Sequence, residues 1–206
     1  DHPQAKPVFD LDSTSLLGIA RGLREEHRFE SGRKITFAPR VLLGAAENPN
    51  VSPVEHRAVR LAKKISAGAQ FVQTQYCYDI PLLRRFMTAV EDAGLLEQVF
   101  ILIGVGPIRT AKAGEWMRTH VPGIHIPDSV IERMKGAKDQ TREGLNLCVD
   151  LIQEVRTIKG VSGVHVMAYR QEESVAEVID RSGILAGRTP WFPGRDPQIN
   201  EDRKLS

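Results

Sequence analysis

Cysteine is scarce in this sequence: Cys77 and Cys148 are the only two among 206 residues. Both sit in apolar segments without C-x-x-C or Cys/His spacing, which excludes a zinc motif and a secreted disulfide framework and leads us to expect a reducing cytoplasm. No apolar run approaches the roughly 20 residues that cross a bilayer. The opening residues, Asp1-His2-Pro3-Gln4, show neither a signal-peptide pattern nor an initiator Met, and they read as cut from something longer. Neither sign of charge is in excess, with 28 Lys and Arg against 26 Asp and Glu. No broad one-signed field is therefore expected to attract nucleic acid or an anionic membrane. The six histidines show no nucleophile, triad or metal spacing, and His165, on a strand-like run, reads as a core histidine. A dinucleotide-binding fingerprint is also missing: Gly104-Val105-Gly106-Pro107 begins like one, but Pro107 breaks it.

What is present is a globular chain of ordinary composition, 41% hydrophobic, long enough to bury one core. Its hydrophobic period alternates between short apolar runs and longer amphipathic stretches, the pattern of βα units. Runs 41–46, 71–76, 99–105 and 163–169 are predicted strands, and their near-continuous apolar character implies burial on both faces of a parallel sheet. Helices are predicted after Asp12-Ser13, from Ser52-Pro53 to Gly68, from Asp79-Ile80-Pro81 to Gly94, near 110–120, from Asp128, over about 141–158, and over 172–181 before Gly183. The stretch 184–206, rich in Pro, Gly and charge, reads as an extended or disordered tail. Alternating strands and helices leave two architectures open, a doubly wound sheet and a closed barrel. In a barrel the carboxyl ends of the strands bind the ligand.

The residues themselves resemble a known family. The segment 68–79, GAQFVQTQYCYD, is similar to the sixth-strand motif of methylenetetrahydrofolate reductases, in which GA…TQ precedes aromatic residues and an acid. Asp1-His2-Pro3 looks like the family's GD.P at the end of the fourth strand, and segments 9–13, 63–68, 104–108 and 163–166 follow in family order and spacing. The resemblance covers residues 1–183. It implies an α/β fold of the (β/α)8 TIM-barrel type, of which this chain holds the C-terminal half, strands five to eight. The missing N-terminal half, or a second copy, becomes the expected partner. The implied activity is the FAD-dependent reduction of 5,10-methylenetetrahydrofolate to 5-methyltetrahydrofolate, with NADH, NADPH or a reduced protein as electron source and folate as substrate.

Roles for particular residues follow from that resemblance. Asp1 matches a carboxylate that tunes the flavin and stabilises the cationic iminium form of the substrate, a role for charge placed where charge changes. Gln75 matches the amide that meets the mixed donor and acceptor edge of the pterin, and Gln73 shares its side-chain direction. Ala45 and Ala46 match the small residues that let backbone approach the flavin, with Asn48 beside them as a hydrogen-bonding group. Arg60, Lys63 and Lys64 resemble the basic stretch that contacts the ribityl and diphosphate of FAD. In this sequence Arg57 and Arg60 stand where acidic and amide residues are common, and ENPNVSP replaces the more familiar YPE.HPEA. Trp116 and Met117 fall near an aromatic that stacks on nicotinamide or pterin. Tyr169 and Arg170 lie where the aminobenzoyl-glutamate passes, and Arg170 suits a carboxylate. Two other classes stay open: a pterin- or corrinoid-linked methyltransferase barrel, and a non-catalytic half-barrel that serves binding or assembly.

Overall fold

A computed structural model describes residues 10–188. Asp1 and most of the tail lie outside the described residues. The element order is α1 (Ser13–Glu25), β1 (Gly44–Glu47), α2 (Val54–Ser66), β2 (Phe71–Tyr76), α3 (Ile80–Asp92), β3 (Phe100–Val105), α4 (Ala111–His120), α5 (Asp128–Gly136), α6 (Gln140–Val155), β4 (Val161–Val166) and α7 (Val175–Ser182), with a short 3-10 turn, Glu172–Ser174, before α7. Local chemistry explains most of the helix starts. Asp12, Asp79, Thr110 and Asp139 each accept a backbone N–H of the first turn, at 2.7, 2.9, 3.1 and 2.9 Å, satisfying donors that a helix leaves unpaired. The helix after Ser52-Pro53 begins as expected but without a side-chain cap. Gly68 and Gly94 end α2 and α3 with φ of 117° and 68°, a left-handed region that glycine enters freely.

The four strands form one parallel sheet in sequential order, β1-β2-β3-β4. Side chains alternate across it. Val72, Ile101, Ile103 and Val105 are fully or almost fully buried against the helices, where Leu61, Leu83, Phe86, Val90, Met134 and Ile152 complete the core. Each such side chain contributes about 1.5–3 kcal/mol by leaving water. On the opposite face the register stacks Ala46, Gln73, Leu102 and Gly163 in one row, with Gly104 and His165 in the next.

That opposite face corrects the expectation of burial on both sides. Ala46 and Gln73 are exposed, and Phe100 is 64% exposed, because no helical layer covers this side among the described residues. Two strand boundaries also shift. Val41 and Leu42 are exposed and precede the ladder, which begins where Gly44 pairs with Phe71. The last strand stops at Val166, and Arg170 has a left-handed φ of 58° that turns the chain away. A strand-sequential parallel sheet with helices on one face is a partial TIM-barrel-like fold.

Candidate active site at the carboxyl end of the sheet

The carboxyl ends of β1, β2 and β4, together with one face of α2, line an open cleft of about 410 Å³, within the size range of small-molecule sites. Ala46, Glu47 and Asn48 come from β1 and its exit, Gln73, Thr74 and Gln75 from β2, His165 and Met167 from β4 and its exit, and Arg57, Arg60 and Lys64 from α2. The neighbouring glycine makes this proximity possible. A Cβ on Gly104 would lie 2.4 Å from the Thr74 carbonyl and 2.7 Å from Met167 Cε, so any side chain there would push the strand ends apart.

Within the TQ pair the two residues divide the work. Thr74 is buried; its hydroxyl accepts the Gly104 N–H at 2.8 Å and donates to the Gln75 carbonyl at 2.9 Å, tying β2 to β3. Gln75 is half-buried and lines the cleft, its Oε1 accepting the Tyr76 N–H at 3.0 Å while the NH2 end is left for other partners. The motif's tyrosines brace the rim: their rings stack 5.6 Å apart, the Tyr76 hydroxyl donates to the Met167 carbonyl at 2.9 Å, and the Tyr78 hydroxyl donates to the Gly106 carbonyl at 3.1 Å. Burial raises both phenols above their ordinary pKa, so they remain protonated donors.

Charge in the cleft is organised by a buried ion pair. Lys64 Nζ lies 2.7 Å from Glu47 Oε2 and donates to the Ala46 carbonyl at 2.5 Å, and both side chains are at least nine-tenths covered. Glu47 Oε1 also accepts the Asn48 N–H at 2.9 Å. Because this pair is internally neutral, Arg57 and Arg60 leave the cleft net positive. Arg60 is exposed at the mouth, and Arg57 donates through Nε to the Val51 carbonyl at 3.0 Å, which leaves its outer nitrogens for an anion.

The sequence-predicted residues are therefore only partly brought together. Gln75, Ala46, Asn48, Arg60 and Lys64 line the cleft. Asn48 is engaged, donating to the Gly123 carbonyl at 3.0 Å and accepting the Asn50 N–H at 3.0 Å. Ala45 points the other way, into packing with Leu17, Leu43 and Ala69. Lys63 is exposed on α2 and does not line the cleft. Trp116 is 56% exposed and stacks on His120, while Met117 packs on the main core. Tyr169 is exposed beneath the Arg170 guanidinium, 5.2 Å from its ring centroid, and neither lines the cleft. Asp1 lies outside the described residues. His165, expected in the core, lines the cleft instead. The signal for it was available: Gly163, His165 and Met167 alternate onto the face that carries Gly104 and Gln73. Both cysteines are buried and free, and burial pushes each thiol up to about 12. Among the described residues no group of His, Cys, Asp and Glu could hold a metal ion, and no helix is long and apolar enough to cross a membrane.

Sequential parallel βα units with a polar cleft at their carboxyl ends define a piece of a barrel of the kind whose strand ends carry ligand sites. Comparison with known proteins makes the class particular. The pattern of the methylenetetrahydrofolate reductase family matches residues 34–183, and the chain belongs to that family. Among its relatives, Methylenetetrahydrofolate reductase 2 of Schizosaccharomyces pombe is 29% identical over 136 residues, which are 62% of this chain and 21% of that protein. Methylenetetrahydrofolate reductase 2 of Saccharomyces cerevisiae is 28% identical over 162 residues, covering 74% and 26%. The 5,10-methylenetetrahydrofolate reductase of Escherichia coli K12 is 24% identical over 153 residues, covering 70% and 50%. The matched stretch thus spans between about a fifth and a half of these relatives. A solved structure of a Clostridium thermocellum protein described as binding two copies of 5-methyl-5,6,7,8-tetrahydrofolic acid shares the fold, with a TM-score of 0.54 at 18% identity, covering 72% of this chain and 54% of that one.

Proposed function

We propose that this chain forms the C-terminal part of a methylenetetrahydrofolate reductase barrel and that its cleft holds the folate during reduction of 5,10-methylenetetrahydrofolate to 5-methyltetrahydrofolate. The observation that carries the reading is the juxtaposition, in one cleft, of the Gln75 amide with the ends of β1 and β4. An amide matches the pterin edge because it donates and accepts within one planar group. The chain's part in the reaction is positional and electrostatic: Gln75 orients the ring, and Thr74 and the two tyrosines keep the strand ends from shifting.

The family's cofactor is FAD, which when bound supplies the hydride; NADH, NADPH or a reduced protein would replenish it. The cleft suits an anionic group through Arg57 and Arg60, and the exposed Ala46 permits close approach of a flat ring. Lys64 does not suit a phosphate contact, because Glu47 already neutralises it. Its role in this reading is to hold the end of β1. Strands one to four of the family's barrel, or in their place the four strands of a second copy, would complete the barrel, and the former would contribute the rest of the flavin pocket.

The test is to purify the chain alone and together with an N-terminal half from a family member. We would measure flavin absorbance, 5-methyltetrahydrofolate binding, and 5-methyltetrahydrofolate formation with NADH or NADPH. Folate binding by the chain, with product formed only in the flavin-containing completed barrel, is expected. Product formed without any flavin would overturn the FAD assignment, and a completed barrel that binds no folate would overturn the reading as a whole.

A further inference from the structure

We infer that Asn50 is a positioning residue for folate binding, acting through Gln75 by holding the Tyr76 backbone on which the Gln75 amide rests. This rests on the folate reading and adds to it a residue outside the cleft. Asn50 belongs to the loop between β1 and α2 and does not line the cleft, so its effect on a ligand travels through its neighbours.

The need for such a residue arises where the sheet becomes irregular. β1 pairs with β2 only as far as Glu47 with Thr74. On its other side β2 carries one extra residue, because Gln73 pairs with Leu102 whereas Tyr76 pairs with Gly104. That is a β-bulge at Thr74 and Gln75, a device that re-aims side chains beside functional sites. The ladder to β3 resumes when the Cys77 N–H donates to the Gly104 carbonyl at 2.9 Å. Past the last β1 pair, the Tyr76 N–H and C=O still need partners, and side chains supply them. Gln75 Oε1 accepts the N–H at 3.0 Å, and Asn50 Nδ2 donates to the C=O at 2.8 Å.

Asn50 is fixed in turn. Its Nδ2 also donates to the Gly123 carbonyl at 3.1 Å, and its backbone N–H donates to Asn48 Oδ1 at 3.0 Å. Asn48 Nδ2 reaches the same Gly123 carbonyl at 3.0 Å. A Cβ on Gly123 would lie 2.0 Å from Asn48 Nδ2, so only a glycine lets the loop before α5 close on the two asparagines. With two carbonyls in front of it, the Asn50 nitrogen cannot be exchanged for an oxygen. Its Oδ1 is left buried without a partner among the described residues, an arrangement that costs stability and that natural chains keep mainly at working sites. The consequence for a ligand is the direction of Gln75. Its Oε1 stays on the Tyr76 N–H only while the Tyr76 backbone keeps its orientation, which leaves the NH2 end for the cleft. Releasing the Tyr76 carbonyl frees that backbone to turn, and the amide loses the fixed direction that a planar ring requires.

The test is a double-mutant cycle in the full chain. Calorimetric titration with 5-methyltetrahydrofolate gives affinity, at a temperature well below the melting point of every variant so that lost stability alone does not move it. Asn50→Ala removes the amide. Asn50→Asp keeps its volume but sets a carboxylate oxygen against the Tyr76 and Gly123 carbonyls. Gln75→Ala removes the group through which Asn50 acts. N50A and N50D should each bind about tenfold more weakly than the parent, as for one lost hydrogen bond. In the Gln75→Ala background the same changes should alter affinity by less than about threefold, because coupled residues do not add. Losses that multiply as for independent sites, or parent-like binding by N50D, would overturn the inference. N50D and N50D/Q75A complete the cycle if N50A does not fold. A parent that binds no folate overturns the folate reading and this inference together, whereas a parent that binds, with losses that multiply, overturns this inference alone.

Discussion

Replacing Lys64 by Met removes the cation from a carboxylate whose side chain is only 2% exposed, while the Lys64 side chain itself is 8% exposed. Breaking a buried pair from one side costs about 3–5 kcal/mol, because the remaining charge is left desolvated. Since a domain of this kind is stable by only about 5–15 kcal/mol, K64M should lose a large part of its stability. Glu47→Gln is the informative partner change. Its amide oxygen can still accept the Asn48 N–H that Glu47 Oε1 accepts at 2.9 Å, so E47Q deletes the charge and little else. Each single variant is expected to cost about 3–5 kcal/mol, whereas E47Q/K64M, with no buried charge remaining, should lie within about 2 kcal/mol of the parent. Urea denaturation of the four proteins gives the coupling directly. If the double variant is destabilised by the sum of the singles, Glu47 and Lys64 are not a coupled pair. If K64M alone costs less than about 1 kcal/mol, the range of an exposed pair, Lys64 is a solvated cation available to a ligand, and the account of the cleft's charge is wrong.

In the completed enzyme, Gln75→Glu should slow the folate half-reaction by roughly tenfold to a hundredfold, the loss of about 1–3 kcal/mol at an unsatisfied partner, while reduction by the electron donor changes far less; equal loss in both half-reactions would contradict the placement of Gln75. Cys77 and Cys148 should resist a thiol reagent at pH 8 until denaturant is added, as expected for thiols pushed up to about 12. Since the folded-state values lie above the ordinary 9.0, the folded chain holds its protons longer than the unfolded one. Stability from this source is complete below pH 9 and declines as pH rises toward 12; a melting temperature that does not fall across that window would contradict the burial. Gly144→Ala should destabilise by about 1–3 kcal/mol through overpacking, since its Cβ would meet the Ile108 carbonyl oxygen at 1.9 Å; a neutral variant by chemical denaturation would show that α6 does not press on that loop. The sheet face left uncovered and the edges of β1 and β4 left unpaired among the described residues should drive association with a second copy or an N-terminal half, and a well-folded monomer by analytical ultracentrifugation would refute this.

Sequence by itself determined the order and kind of the elements. Each helix start that carried an acceptor, Asp12, Asp79, Thr110 or Asp139, is a local event between residues three apart, and each β run is marked by its own composition. The same locality made the GAQFVQTQYCYD segment legible as family chemistry and put Gln75 at a strand end. What tertiary structure decided depends on distance rather than neighbours. Lys64 looks like one of four cations on α2, but only the fold brings Glu47 to 2.7 Å and turns an expected phosphate contact into a buried pair. Trp116 and Met117 share a family position, yet α4 exposes the first and packs the second, half-buried, against the core. His165 reads as a core residue, and it becomes a cleft residue because the sheet pairs it with Gly104, about sixty positions earlier, on the face that no helical layer covers among the described residues. Local propensity acts through the few residues of a turn or a cap, whereas burial, pairing and the emptiness that admits a ligand are properties of the assembled strands and appear only when the chain closes on itself.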